Sequence, residues 1–113
     1  MPAISVLLPF RNASRFLAEA VHSVLRQDFT DFELVAVNDG STDDSTTVLR
    51  GAGRGDERVR ILQAGGRGLP AALNLGIMSA RGRYIARMDG DDVALPHRLS
   101  RQIATLERDE QLV

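Results

Sequence analysis

The chain predicts an α/β fold, a parallel sheet with helices on both faces. Two observations carry this expectation. Short apolar runs alternate with segments of helical period in the order β-α-β-α-β-α-β-α. The expected strands are apolar throughout instead of alternating with polar residues, the pattern of strands covered on both faces. A chain of 113 residues, 43% of them hydrophobic, suits one domain, because this length buries roughly two thirds of its unfolded surface.

Each element has its own local reason. Ile4 to Leu8 is a continuous apolar-rich run ended by Pro9, and it makes the first strand. Phe16, Leu17, Ala20, Val21, Val24 and Leu25 then recur at i, i+1, i+4 and i+5, one stripe of a helix, with Ser14 placed to cap it. Phe32 to Val37 is the second strand, closed by the turn-rich NDGSTDDS. A short helix is expected from about Asp44 to Leu49 before the glycine-rich GAGRGD breaks the pattern. Val59 to Leu62 makes a third strand, and AGGRG follows it. Pro70 near the first turn and Gly82 beyond the end bound a third helix to Ala80. Tyr84 to Met88 is the fourth strand, and Pro96 opens a last helix with Leu99, Ile103 and Leu106 on one side.

Composition excludes several kinds of chemistry. Net charge is −1 and the arginines are scattered, so there is no nucleic-acid footprint. There is no cysteine, hence no disulfide framework and no thiolate metal site. All fourteen basic residues are arginine, which removes the P-loop lysine and lysine Schiff bases. No window is long enough for a transmembrane helix. The short apolar stretch at the N-terminus, without a basic flank, reads as a strand rather than a signal peptide. His22 and His97 have no partners at triad spacing and are read as non-catalytic.

In a parallel sheet every strand ends on the same edge, where ligands bind. Three polar clusters directly follow strands: Pro9 to Asn12 (PFRN), Asn38 to Ser41 (NDGS) and Asp89 to Asp92 (DGDD). Their convergence on one rim is the main argument for a site. If the chain stays extended at DGDD, Asp89 and Asp91 point to one side and Asp92 to the other. Two carboxylates on one side suit a hard divalent cation, Mg²⁺ or Mn²⁺, while a solvated Asp-Gly turn explains the same residues without a ligand. An EF-hand loop from Asp89 fails, because Ala94 and Ser100 stand where it needs Gly and Glu. Asp39 is expected to present an exposed carboxylate to a base or ribose, with Asp43 capping the next helix. Arg11 faces a phosphate, stacks on a ring or is an ordinary surface residue. The segment from Ala64 to Pro70 brings glycines to a helix N-terminus, a place for an anion, and Asn74 lies about one turn further on.

ISVLLPFRN, FELVAVNDGSTDDS, GLPAALNLGIMSARGRYIARMDGDD and LPHRLSRQ together resemble the nucleotide-sugar half of family-two glycosyltransferases. The resemblance covers nearly the whole chain in the family's order, and it implies the GT-A fold, a Rossmann-like parallel sheet. It also implies a nucleoside-diphosphate-sugar donor, often a UDP-sugar, and a divalent metal. By this resemblance Asp39 binds the base, with Pro9, Phe10, Arg11 and Asn12 lining its pocket. Asp89 and Gly90 lie near the ribose or metal, Asp91 is the metal ligand of the DxD motif, and Gly68 and Asn74 complete the donor site. Three positions depart from the pattern: Asn38 replaces a first Asp, Arg11 a frequent Tyr, and Leu73 a basic residue before Asn74. The diphosphate contact therefore falls to Arg67 or Arg11.

The resemblance places the catalytic base downstream of Val113, so no residue of this chain is assigned to it. Residues 1–113 are expected to form a single donor-binding domain ending before an acceptor region. The acceptor implied is a glycan or a lipid-linked glycan, in the cytoplasm or at the inner face of the membrane. Two other functions fit the residues less fully: a non-catalytic nucleotide-binding module and an aspartate-based phosphotransferase.

Overall fold

The computed structural model of the chain describes residues 1–111, and side chains through residue 108. The element order is β1 (Ile4–Phe10), α1 (Ser14–Leu25), β2 (Phe32–Asn38), α2 (Ser45–Ala52), β3 (Val59–Gln63), α3 (Leu69–Ser79), β4 (Tyr84–Arg87) and α4 (Arg98–Gln111). All strand pairs are parallel and the sheet runs β3-β2-β1-β4. The α/β expectation thus holds element by element.

Alternate residues of the two central strands feed two cores, as the pleat requires. Ile4, Val6, Leu8, Phe10, Leu34 and Ala36 meet Leu17, Ala20, Val21 and Val24 of α1, Leu49 of α2 and Leu99 and Ile103 of α4. On the opposite face Leu7, Val35 and Val37 meet Ala72 of α3. A methyl group on Gly76 would stand 3.3 Å from both Leu7 Cδ2 and Val37 Cγ2, so small residues let α3 lie close on the sheet. Three helices therefore cover one face and one helix covers the other.

Several boundaries differ from the sequence expectation for identifiable reasons. Pro9 does not end β1; it lies inside it, paired with Val37. Leu7 O accepts from Met88 N while Phe10 O accepts from Asp39 N, so odd residues of β1 address β4. The β4 ladder stops at the Leu7–Arg87 rung, and Pro9 forfeits no ladder bond. Ser14 is not a cap but the first residue of α1, with Ala13 before it. Its cap comes from another loop: Ser45 Oγ accepts from Ala13 N at 2.9 Å and Asp43 Oδ2 from Ser14 N at 3.4 Å. Helix α2 extends a turn beyond Leu49; its N-cap is Asp44, not Asp43, which accepts from Ser45 N at 3.0 Å from one position further out.

Pro96 sits in a turn before α4 instead of opening it. Phe16 leaves the expected buried stripe and is 48% exposed. Strands β3 and β4, at the sheet's edges, are only partly covered, with β4 alternating between half-buried and exposed. No helix among the described residues is long and apolar enough to cross a membrane.

Candidate functional site

The chain moves outward from β1 to β2 to β3, then crosses to place β4 on the other side of β1. Strand order reverses between β1 and β4, so the crevice beyond their C-terminal ends is the expected ligand position. A cavity of about 260 Å³ lies there, lined by Pro9, Phe10, Arg11, Asn12, Ala13, Phe16, Gly90 and Asp91. The fold brings the first and third polar clusters into one place, and the second adjoins them through β2.

The loop after β1 is welded to the loop after β2. Asn12 takes a left-handed conformation with φ of 51°. Its side-chain oxygen accepts from Thr42 N at 2.8 Å and Asp43 N at 3.3 Å, and its own N–H donates to Ser41 Oγ at 3.0 Å. Asn12 therefore shapes the site by joining loops. Asn38 uses both ends of its amide: Nδ2 donates to Gln63 Oε1 at 2.8 Å and Thr46 Oγ1 at 3.1 Å, while Oδ1 accepts from Ser41 N at 3.0 Å. Asn38 donates both amide hydrogens here, where a carboxylate would need Thr46 and Gln63 to turn donor instead.

Asp39 differs from its sequence expectation. It is buried, 7% exposed, and its Oδ1 has no hydrogen-bond partner among the described residues. A buried polar atom left without a partner is costly, so native proteins rarely keep one without a use. The residue is held by Asp39 N donating to Phe10 O at 2.9 Å. Gly40 follows at φ 75°, and the third loop presses on it, since a Cβ there would come within 2.8 Å of Gly66 Cα.

The DGDD segment is not extended. It turns, with Asp92 N donating to Asp89 O at 3.1 Å and Asp89 N to Asp92 Oδ2 at 3.2 Å. The alternation expected of an extended chain therefore fails, and Asp92 joins the other two. One carboxylate oxygen from each of Asp89, Asp91 and Asp92 lies within 4.8 Å of the others, all on exposed residues. The Asp-Gly dipeptide was the signal for this turn, and for the third carboxylate. Such an oxygen-only donor set fits Mg²⁺ or Mn²⁺, with further ligands left to water and substrate. Arg87 pairs with Asp89 at 3.4 Å, which offsets part of the repulsion.

The remaining expected site residues lie apart. Gly68 is half-buried at the N-cap of α3, with φ of 102°, and Asn74 is exposed on that helix; neither lines the cavity between β1 and β4. Phe16, expected in the core, instead forms part of that cavity's wall. His97 Nδ1 lies 2.6 Å from Asp28 Oδ2.

A doubly covered parallel sheet with a polar cavity at its switch point defines the Rossmann-like class of α/β proteins. The family model for glycosyl transferase family 2 matches residues 5–113. The chain belongs to glycosyl transferase family 2. It is 38% identical over 109 residues to the putative glycosyltransferase EpsE of Bacillus subtilis (strain 168), covering 95% of this chain and 39% of that protein. It superposes on S. aureus TarS 1–349 in complex with UDP with a TM-score of 0.81 at 27% identity, over 93% of this chain and 32% of TarS. The mannosyltransferase PcManGT from Pyrobaculum calidifontis, in complex with GDP-Man and Mn²⁺, shares the fold with a TM-score of 0.76 at 24% identity, over 81% of this chain and 28% of that one. The chain spans less than two fifths of the length of each of these proteins.

Proposed function

We propose that this chain is the donor-binding part of a metal-dependent glycosyltransferase that uses a nucleoside-diphosphate sugar, a UDP-sugar first. The observation that carries the reading is the buried, unpartnered oxygen of Asp39 on the same rim as the three carboxylates of the Asp89–Asp92 turn. One end of that rim holds an acceptor for a base N–H, and the other holds hard oxygen donors. The family membership and the UDP complex of TarS support the choice of ligand.

In this reading Asp39 accepts from the base, Pro9, Phe10 and Asn12 wall the nucleoside, and Arg11 approaches the donor from the same stretch. Asp89 and Asp91 hold the cation, with Asp92 alongside and Gly90 allowing close approach. Gly68 and Asn74 approach the donor from the start of α3. A bound dication supplies charge neutralisation for the departing diphosphate. The chain's own contribution is to fix the carboxylates and the nucleoside before reaction. The acceptor in this reading is a glycan or a lipid-linked glycan. The same reading puts the chain in the cytoplasm or at the inner face of the membrane.

Calorimetric titration of UDP, with and without Mn²⁺, tests this. Mn²⁺ should tighten UDP binding at least tenfold, about the value of one charge-assisted contact, and Asp91→Asn should lose that gain. A folded chain that binds none of UDP, GDP or dTDP would overturn the proposal.

A further inference from the structure

Arg11 is the one cationic side chain on the wall of the cavity between β1 and β4. Among the described residues its side chain makes no hydrogen bond and no ion pair. Exposed arginines are common without partners, but this one is placed by a rigid frame. Its backbone lies between Phe10, which accepts from Asp39 N, and Asn12, locked at φ 51° by three hydrogen bonds from loop 41–43.

The sheet register says what Arg11 faces. Phe10 pairs with Asn38, so the next rung sets Arg11 level with Asp39 on the β2 side. On the β4 side the ladder ends at the Leu7–Arg87 rung and the chain turns. That turn comes back against β1, since a Cβ on Gly90 would stand 3.2 Å from Phe10 Cβ, and Asp91 lines the same cavity as Arg11. Arg11 thus stands midway between the unpartnered carboxylate and the acidic turn. Those two are separated by two strand spacings, about 10 Å. The cavity Arg11 lines has Gly90 and Asp91 opposite, not Asp39. Its guanidinium therefore serves the acidic end.

Charge gives the reason. The turn carries three carboxylates, only one of them paired, with Arg87. A dication and Arg87 together only neutralise that turn, leaving an incoming diphosphate without compensation. A guanidinium offers two parallel donors matched to phosphate oxygens. We propose that Arg11 is the diphosphate-contacting residue of this site, holding the donor's phosphates against the acidic turn independently of the metal. Arg67, the other arginine near the rim, does not fill this place. Its loop packs on the end of β2, with Ala64 N donating to Asn38 O and Gly66 against Gly40, across β1 from the turn.

The proposal rests on the donor reading and deepens it. Titrations of uridine and of UDP, followed by NMR shifts in EDTA and again with Mg²⁺, separate the two claims. In Arg11→Met, UDP affinity should fall about tenfold in EDTA, the size of one charge-assisted contact, while uridine affinity stays within about twofold. Arg11→Lys should restore most of the loss, since it keeps the charge. Equal losses for uridine and UDP would assign Arg11 to the base and overturn the proposal. Unchanged UDP binding would overturn it as well. If uridine binds the wild type and is lost in Asp39→Asn while Arg11→Met changes nothing, the donor site stands and Arg11's role falls. A wild type that binds neither ligand removes both.

Discussion

Gly40 shows how tightly single residues set the rim. Its φ of 75° is a conformation side chains rarely adopt, and a Cβ would meet Gly66 Cα at 2.8 Å and Gly66 N at 3.0 Å. Both atoms are backbone, so nothing flexible gives way. Gly40→Ala should therefore cost about 2 kcal/mol or more from strain and overlap together, readable in urea unfolding. It should also displace Asp39, its immediate neighbour, and weaken nucleoside binding beyond what the stability loss explains. Neither effect is visible from the NDGS string alone, because the clash is with a loop twenty-six residues away.

At the scale of elements, helix α1 holds the segment that leads out of the acidic turn. Ser23 Oγ accepts from Ala94 N at 2.9 Å. Gln27 is buried; its Nε2 donates to Leu95 O at 2.6 Å and Ser23 O at 3.1 Å, and its Oε1 accepts from Leu99 N at 3.0 Å. The first turn of α4 is thus capped by a side chain from the segment just beyond α1. Asp28 N donates to Pro96 O at 3.0 Å, and His97 leans on the Asp28 carboxylate. Gln27→Leu leaves Leu99 N unpaired in a buried place, while Leu95 O keeps its bond from Arg98 N, and should cost about 2 kcal/mol. Hydrogen exchange at Ala94 and Leu99 should quicken markedly, while the central amides of β1 and β2 quicken only in step with the loss of global stability. Equal quickening everywhere would show that the clamp acts on the whole fold, not on this segment.

For the molecule as a whole, the edge of the sheet opposite the site is held by a buried acid. Glu33 accepts from Ser5 Oγ at 2.6 Å, Arg60 Nη1 at 2.7 Å and Arg81 N at 2.6 Å, joining β1, β2 and β3 to the α3–β4 connection. Burial pushes its carboxyl up, but these three donors together outweigh it and hold the carboxyl below its ordinary value. Asp56 is lowered in the same direction by the Arg58 side chain, and Asp43 by the Ser45 hydroxyl. A carboxyl lowered on folding adds stability above its unfolded value and loses it as pH falls through the folded one. The chain should therefore be stable near neutrality and lose stability progressively below about pH 4. Glu33→Gln should be less stable at pH 7 and show a shallower acid limb in thermal unfolding followed from pH 7 to pH 3.

The local code of this sequence determined the element order, the parallel sheet, the buried stripes of α1 and α4 and the three polar clusters after strands. Those features follow from hydrophobic period and turn chemistry, which act between near neighbours. Tertiary structure alone decided that β4 crosses to the far side of β1, which places Asp91 beside Arg11 rather than beside Asp39. It also decided that Asp39 is buried with an oxygen unpartnered among the described residues, that Phe16 lines a cavity instead of the core, that Ser45 of α2 caps α1, and that Gln27, beyond α1, caps α4. The turn that gathers Asp89, Asp91 and Asp92 was foreshadowed by Asp-Gly, yet an extended chain was equally compatible with the residues alone. These outcomes depend on which loops meet across the sheet, and such contacts join residues dozens of positions apart whose identities carry no shared period.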